Sequence, residues 1–202
     1  MAATIDYYFA PVSPWTYLGH ARFAEIAART GAQVNVQPID LGKVFPVSGG
    51  LPLGQRSAQR QAYRLLEMKR FSEHLKLPMN LHPQHFPTPG EAAARLILCA
   101  AALDGQVAAL QLCGATFAAV WAQERNIADA DVLAQLLAEC GLAAERLAQS
   151  QQAQWLSEYQ ACTQRAIEAN VFGAPSFVID GEMFWGQDRL EFVDIKCRQL
   201  AD

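Results

Sequence analysis

Apolar and polar residues follow a strand-like pattern near both ends of the chain and a helix-like one between them. Thr4 to Ala10, rich in β-branched and aromatic types, predicts a first strand, which Pro11 and the Ser13-Pro14 pair bring to an end. A helix over Pro14 to Thr30 follows. Ser13 suits its N-cap, Pro14 its first position, Tyr17, Leu18, Phe23, Ile26 and Ala27 its apolar face, and Gly31 its end. Val34, Val36 and Pro38 alternate with polar neighbours, which predicts a second strand over Gln33 to Ile39. The connection is long enough for a parallel crossover of right-handed sense.

The middle of the chain changes character. Val44 to Gly54 reads as a Gly/Pro-rich loop and Gln55 to Leu75 as a helix, while Leu77 to Pro89 holds four prolines together with His82 and His85. Ala/Leu/Gln-rich stretches predict helices over Glu91 to Leu103, Gln106 to Arg125, Ala130 to Cys140 and Gln151 to Asn170. Strands return at Ser176 to Ile179 and Glu182 to Trp185. Asp180-Gly181 between them is a hairpin signal, because both central positions of a type I′ turn need positive φ. A last helix is expected from about Arg189 to Leu200. The order describes one sheet, carried by residues 1–42 and 171–202, interrupted by a helical insertion over residues 43–170.

Composition narrows the class. With 202 residues, 51% of them hydrophobic and 18% charged, the chain has the apolar material for one globular unit. A formal charge of -4 without long runs of either sign argues against a nucleic-acid partner. No basic segment, apolar core and cleavage site open the sequence, and no apolar stretch is long enough to span a membrane. A soluble cytoplasmic protein with no membrane partner is therefore expected. The five cysteines, Cys99, Cys113, Cys140, Cys162 and Cys197, form no Cys-x-x-Cys pair and read as small buried hydrophobes.

The chemistry is concentrated where strand meets helix. Phe9-Ala10-Pro11-Val12-Ser13-Pro14-Trp15-Thr16-Tyr17-Leu18 places a hydroxyl at a helix N-terminus, where free N–H groups and the helix dipole favour an anion. Ser13 has no His or Lys nearby in sequence to activate it, so it suits a hydrogen-bond donor better than a nucleophile; a simple helix cap is the plainer reading. Late in the chain, Val171-Phe172-Gly173-Ala174-Pro175-Ser176-Phe177 leads an Ala-Pro bond directly into a strand. Gly186-Gln187-Asp188 then reads by itself as a turn before a helix, with Asp188 as its cap. His82-Pro83-Gln84-His85 lacks an acidic or cysteine ligand in the same short segment, and no metal is expected there.

Three of these signatures, Ser13-Pro14-Trp15-Thr16-Tyr17-Leu18, Phe172-Gly173-Ala174-Pro175 and Phe184-Trp185-Gly186-Gln187-Asp188-Arg189-Leu190, come in an order that resembles a known family over essentially the whole chain. It is the family of glutathione-dependent 2-hydroxychromene-2-carboxylate isomerases and kappa-class glutathione transferases, relatives of DsbA. The resemblance implies an α/β, thioredoxin-like sheet with a large all-helical insertion. It implies glutathione as cofactor, a small aromatic or conjugated second substrate, and a homodimer. Ser13 falls at the attacking cysteine of the thiol-oxidising relatives and Thr16 at the resolving one, so neither position can form a disulfide.

By the same resemblance Ser13 donates a hydrogen bond to the glutathione sulfur, Pro175 is cis, and the backbone of Ala174 pairs with the cysteinyl segment. Trp185, Gly186, Gln187 and Asp188 match positions near the γ-glutamyl end. There Asp188 would accept from the ammonium, while Gln187 or backbone N–H groups would hold the carboxylate. The insertion would supply the second-substrate pocket, with Trp15, Tyr63 and Phe86 as candidate lining residues; for Tyr63 and Phe86 ordinary core packing is the alternative. The sequence departs from the family at Pro46, where many relatives carry lysine, and at Gly50, where they often carry asparagine. Arg56, Arg60 and Arg64, at helical spacing, either restore that positive charge or form a solvated face. A glutathione transferase, a DsbA-like thiol-disulfide oxidoreductase and a noncatalytic glutathione binder stand as alternatives to the isomerase.

Overall fold

The computed structural model describes residues 2–201. Strand β1 (Thr4–Phe9) leads through Ser13 into helix α1 (Pro14–Thr30), which Gly31 ends in the left-handed region at φ 68° before β2 (Gln33–Pro38). β1 and β2 pair in parallel, with Thr4 opposite Gln33, as the long crossover requires. β3 (Ser176–Ile179) runs antiparallel to β1, and β4 (Glu182–Trp185) antiparallel to β3, giving the order β2-β1-β3-β4. Asp180 and Gly181 join the last two strands at φ 52° and 75°, the positive values that this tight turn demands.

Every element between β2 and β3 is helical: α2 (Leu41–Ser48), a 3₁₀ turn at Leu53–Gln55, α3 (Ala58–Leu75), α4 (Glu91–Asp104), α5 (Gln106–Trp121), α6 (Ala130–Glu139), α7 (Glu145–Gln149) and α8 (Ala153–Glu168). A 3₁₀ turn over Gln187–Arg189 and helix α9 (Leu190–Ala201) follow β4. The fold is that of a thioredoxin-like sheet carrying a large helical insertion.

The expected loop over Val44 to Gly54 is corrected by α2. Asp40 caps it, its carboxylate accepting from the Gly42 N–H at 2.8 Å. Val44 is fully buried in a cluster with Tyr8, Ile39, Ala166 and Val171. These tertiary contacts outweigh the backbone bond that Pro46 removes inside the helix. Helix α3 begins later than expected because Ser57 takes the N-cap and accepts from Arg60 N–H. Helix α5 stops at Trp121, before the expected Arg125, because Glu124 adopts φ 54° and the Arg125 N–H turns back to the Ala119 carbonyl.

Alternation in β1 sends Ile5, Tyr7 and Phe9 into the principal core and Tyr8 into the second cluster on the other face. The Tyr7 ring stacks on Phe177 at 5.3 Å and meets Phe23 of α1 at 4.4 Å. The principal core continues without a break into Leu112, Phe117 and Trp121 of α5 and Leu133, Leu136 and Leu137 of α6. Helix α1 is thereby held between the sheet and the helical block, which fixes the position of its N-terminus.

Candidate functional site

Ser13 caps α1 with extended backbone and is 6% exposed. Its Oγ accepts from Thr16 N–H at 3.2 Å and donates to the Ala174 carbonyl at 3.4 Å. The second bond is longer than an ordinary O–H···O hydrogen bond, so the hydroxyl proton is weakly held and open to a better acceptor. Thr16 is fully buried, and among the described residues its own Oγ1 has no partner. No acidic residue occupies the first turn of α1, which leaves the positive end of a 17-residue helix without a compensating charge of its own.

The second wall of the site is the segment before β3. Ala174–Pro175 is a cis peptide, the Pro175 carbonyl accepts from Gly186 N–H at 2.9 Å, and Ser176 Oγ donates to the Gly173 carbonyl at 2.9 Å. Among the described residues the Ala174 N–H makes no hydrogen bond. Ala174 thus offers an unpaired donor beside a weakly used acceptor, the two groups that an extended peptide takes in strand pairing. Trp185, 51% exposed, lies across Gly173 so closely that a Cβ there would collide with its indole nitrogen, and Phe172 meets it edge-on at 4.8 Å. A groove of about 400 Å³ borders this loop, lined by Val47, Ser48, Ile167, Asn170, Val171 and Phe172. A larger groove runs along β2 and contains none of these site residues.

Gly186 (φ 107°) turns the chain into Gln187 and Asp188. The two residues differ in availability. Asp188 is exposed and pairs with the adjacent Arg189 at 2.8 Å. Gln187 is buried, and Arg22 of α1 donates to both its side-chain oxygen and, at 3.0 Å, its backbone carbonyl. Its carboxamide oxygen is therefore committed to α1, whereas the carboxamide N–H group, the part that could donate to a ligand carboxylate, takes no part in this contact. Gly19 makes the approach possible: a Cβ there would come within 2.8 Å of Gln187 Cβ. Sequence reading missed both Gly19 and Arg22. A glycine amid bulky residues in the middle of a helix was the available signal of close packing.

The remaining candidates lie on the helical side. Trp15 is half-buried and meets Phe71 of α3 edge-on at 6.2 Å. Phe86, half-buried, packs on Trp121 at 4.9 Å, whereas Tyr63 is 58% exposed. Arg60 is exposed, as a solvated helix face requires, but Arg56 and Arg64 are half-buried. Four of the five cysteines are buried and Cys140 is half-buried. Burial raises the pKa of all five thiols, that of Cys162 to about 12. His82 is exposed and His85 half-buried; among the described residues no three metal-ligating side chains come together. No described helix is long and apolar enough to cross a membrane.

The model of the DSBA-like thioredoxin domain matches residues 4–196. A 2-hydroxychromene-2-carboxylate isomerase of Sphingobium xenophagum is 27% identical over 197 residues, covering 96% of this chain and 97% of that protein. The solved structure of a 2-hydroxychromene-2-carboxylate isomerase superposes with a TM-score of 0.78 at 23% identity, covering 98% of this chain and 95% of the other. The cytosolic disulfide reductase DsbM from Pseudomonas aeruginosa, solved with GSH, gives a TM-score of 0.69 at 19% identity, covering 96% and 99%. A sheet entered through a helix capped at Ser13, a cis-proline before β3 and a family match over nearly the whole length agree: this chain belongs to the DsbA-like thioredoxin domain family and is similar from end to end to the 2-hydroxychromene-2-carboxylate isomerases.

Proposed function

We propose that the protein is a glutathione-dependent isomerase acting on a small aromatic or conjugated carboxylate of the 2-hydroxychromene-2-carboxylate type. The observation that carries this reading is the hydroxyl of Ser13 at the N-terminus of α1, which has only a distant acceptor for its proton, the Ala174 carbonyl; the family resemblance matches this position to a cysteine of thiol-oxidising relatives. The site residues fit the tripeptide. The unpaired Ala174 N–H and its carbonyl suit the cysteinyl backbone, and exposed Asp188 suits an ammonium. Bound glutathione would supply a thiolate that adds reversibly to a conjugated carbon, so that the former double bond can rotate before the thiolate departs.

The chain's own part is electrostatic. Ser13 turns its hydroxyl proton from Ala174 to the sulfur, and the N-terminus of α1 adds a fixed positive potential, which together hold the anionic form at neutral pH. Asp188 would accept from the ammonium of the γ-glutamyl end, and the carboxamide N–H group of Gln187, which the bond to Arg22 leaves uncommitted, would hold its carboxylate. Trp185 walls off the outer side of the cis-proline loop. The dimer and the cytoplasmic location implied by the family resemblance belong to this proposal; sedimentation that shows only monomer at high concentration removes the first.

Calorimetry of glutathione binding, combined with thiolate absorbance across pH and an isomerisation assay, tests the reading. Binding with a lowered thiol pKa, and turnover that leaves glutathione unconsumed, is the expected result. Consumption of glutathione would reassign the same site to group transfer. Disulfide-reducing turnover that persists in Ser13→Ala would overturn the serine-centred account.

A further inference from the structure

Among the described residues three half-buried arginines, Arg22, Arg56 and Arg64, have no ion pair, and of these Arg64 alone lacks even a carbonyl partner for its guanidinium. The Arg64 guanidinium lies 5.7 Å from the Phe86 ring centre and 5.8 Å from that of Trp121. Among the described residues it makes no ion pair and no hydrogen bond. Arg95, Arg125 and Arg146, also largely buried on their side chains, each hold a carboxylate. The neighbour that acts on Arg64 is a second cation, Arg56, itself bonded to the Leu51 carbonyl at 2.8 Å and set over Phe45. Burial and this like charge hold the Arg64 pKa down at about 10.

Stacking on two rings offsets part of the cost of such a site, but it satisfies none of the guanidinium's five N–H donors. Trp121, fully buried, adds a further donor: its indole N–H has no acceptor either. Among the described residues two groups in one aromatic cluster thus lack a protein acceptor; the Trp121 nitrogen is sealed from solvent, whereas the Arg64 guanidinium is not and can meet an anion that arrives from solution.

The cluster stands beside the site described above. Arg64 and Phe71 are seven residues apart on α3, on one face and about 10 Å along the axis. Phe71 packs on Trp15, two residues from Ser13. From the other direction, Phe86 precedes by four residues Gly90, whose Cβ position lies 3.4 Å from Pro11, two residues before Ser13. A planar acid resting against Trp15 can therefore direct its carboxylate towards Arg64.

We propose that Arg64, supported by Phe86 and Trp121, is the carboxylate-binding residue for the second substrate. This rests on the reading of the Ser13 site as the place where that substrate reacts. A planar guanidinium fork matches a carboxylate bidentately, which explains the choice of arginine at a stacked position.

The test uses the full chain and two probes of equal shape, 1-naphthoate and neutral 1-naphthamide, titrated by calorimetry without glutathione. Wild type is expected to prefer the anion at least tenfold, and Arg64→Met to bind both probes alike while melting as wild type does. Arg64→Gln provides the same comparison should the methionine variant fail to fold. A wild type without preference, or a preference that survives either neutral variant, overturns the proposal and makes the stack mere packing. An Arg64-dependent preference in a protein that does not isomerise the chromene in the presence of glutathione supports the anion subsite and counts against the proposed reaction, so the two failures are distinguishable.

Discussion

The Ser13 hydroxyl and the Ala174 carbonyl face each other at 3.4 Å, although 161 residues separate them in the chain. Their contact joins the start of α1 to the segment that enters β3, and it is too long to hold the hydroxyl proton firmly. A ligand sulfur placed between them would meet a donor from one side and strand-like backbone from the other.

Ser13→Ala is expected to raise the thiol pKa of bound glutathione and to lower turnover about tenfold to a hundredfold, the range for loss of one hydrogen bond to a developing or resident anion. The same substitution removes the N-cap of α1, at about 1 kcal/mol, and so lowers Tm by about 2–4 °C. Ser13→Asn separates the two effects, because asparagine caps well but places its donor elsewhere. Thiolate absorbance reads the first effect and thermal melting the second.

Asp188→Asn removes an exposed carboxylate while leaving the turn at Gly186 in place. Glutathione affinity is expected to fall about tenfold, corresponding to about 1.4 kcal/mol, with little change in melting temperature. Calorimetry of the variant at unchanged affinity would locate the ammonium elsewhere.

Gly19→Ala inserts a methyl group against Gln187, where the gap to its Cβ is 2.8 Å. Alanine favours the helix in isolation by up to about 1 kcal/mol, yet overpacking typically costs about 1–3 kcal/mol. The sum is destabilising, and the displaced Gln187-Asp188 turn should also weaken glutathione binding. Urea denaturation and ligand titration of one preparation measure both.

His20 gives the protein a pH dependence unrelated to the site. It is buried, with Nε2 2.9 Å from the Leu110 carbonyl and Nδ1 3.3 Å from the Tyr7 hydroxyl, and burial lowers its pKa to about 4. In the unfolded chain the imidazole takes up a proton near pH 6.5, whereas the folded chain resists protonation until about 4. Stability is therefore intact above pH 6.5 and falls towards pH 4, by a contribution on the order of 3 kcal/mol. Urea midpoints at pH 7 and 5 should differ in the wild type and draw closer in His20→Gln.

Much of the sheet and of the first helix was legible because their signals are local. The Ser13-Pro14 start and Gly31 stop of α1, the alternation in β2 and the Asp180-Gly181 turn each act through neighbouring residues. Helix α2 was hidden because Val44 is anchored by Ala166 and Val171, far away in sequence. The short helix α7 is likewise held by a distant partner, Arg146 pairing with Asp104 of α4 at 2.7 Å. In the proposed site, Ala174, Pro175 and Gly186 are legible only through the family resemblance, because residue type alone gives only an Ala-Pro bond leading into a strand and a turn before a helix. The commitment of Gln187 to Arg22, and the difference between exposed Arg60 and stacked Arg64, depend on which side of an element faces inward and emerged only from packing.

The treatment of sulfur in this chain has a chemical consequence. Positions 13 and 16 carry oxygen, and every cysteine has a thiol whose pKa is raised by burial. Alkylating agents of the thiol-directed kind attack thiolates, so the cysteines should resist them while the protein is folded. Loss of activity on treatment with a thiol-alkylating agent would then arise from the supply of a diffusible thiol rather than from damage to the polypeptide, and would be reversed by replenishing that thiol without new protein.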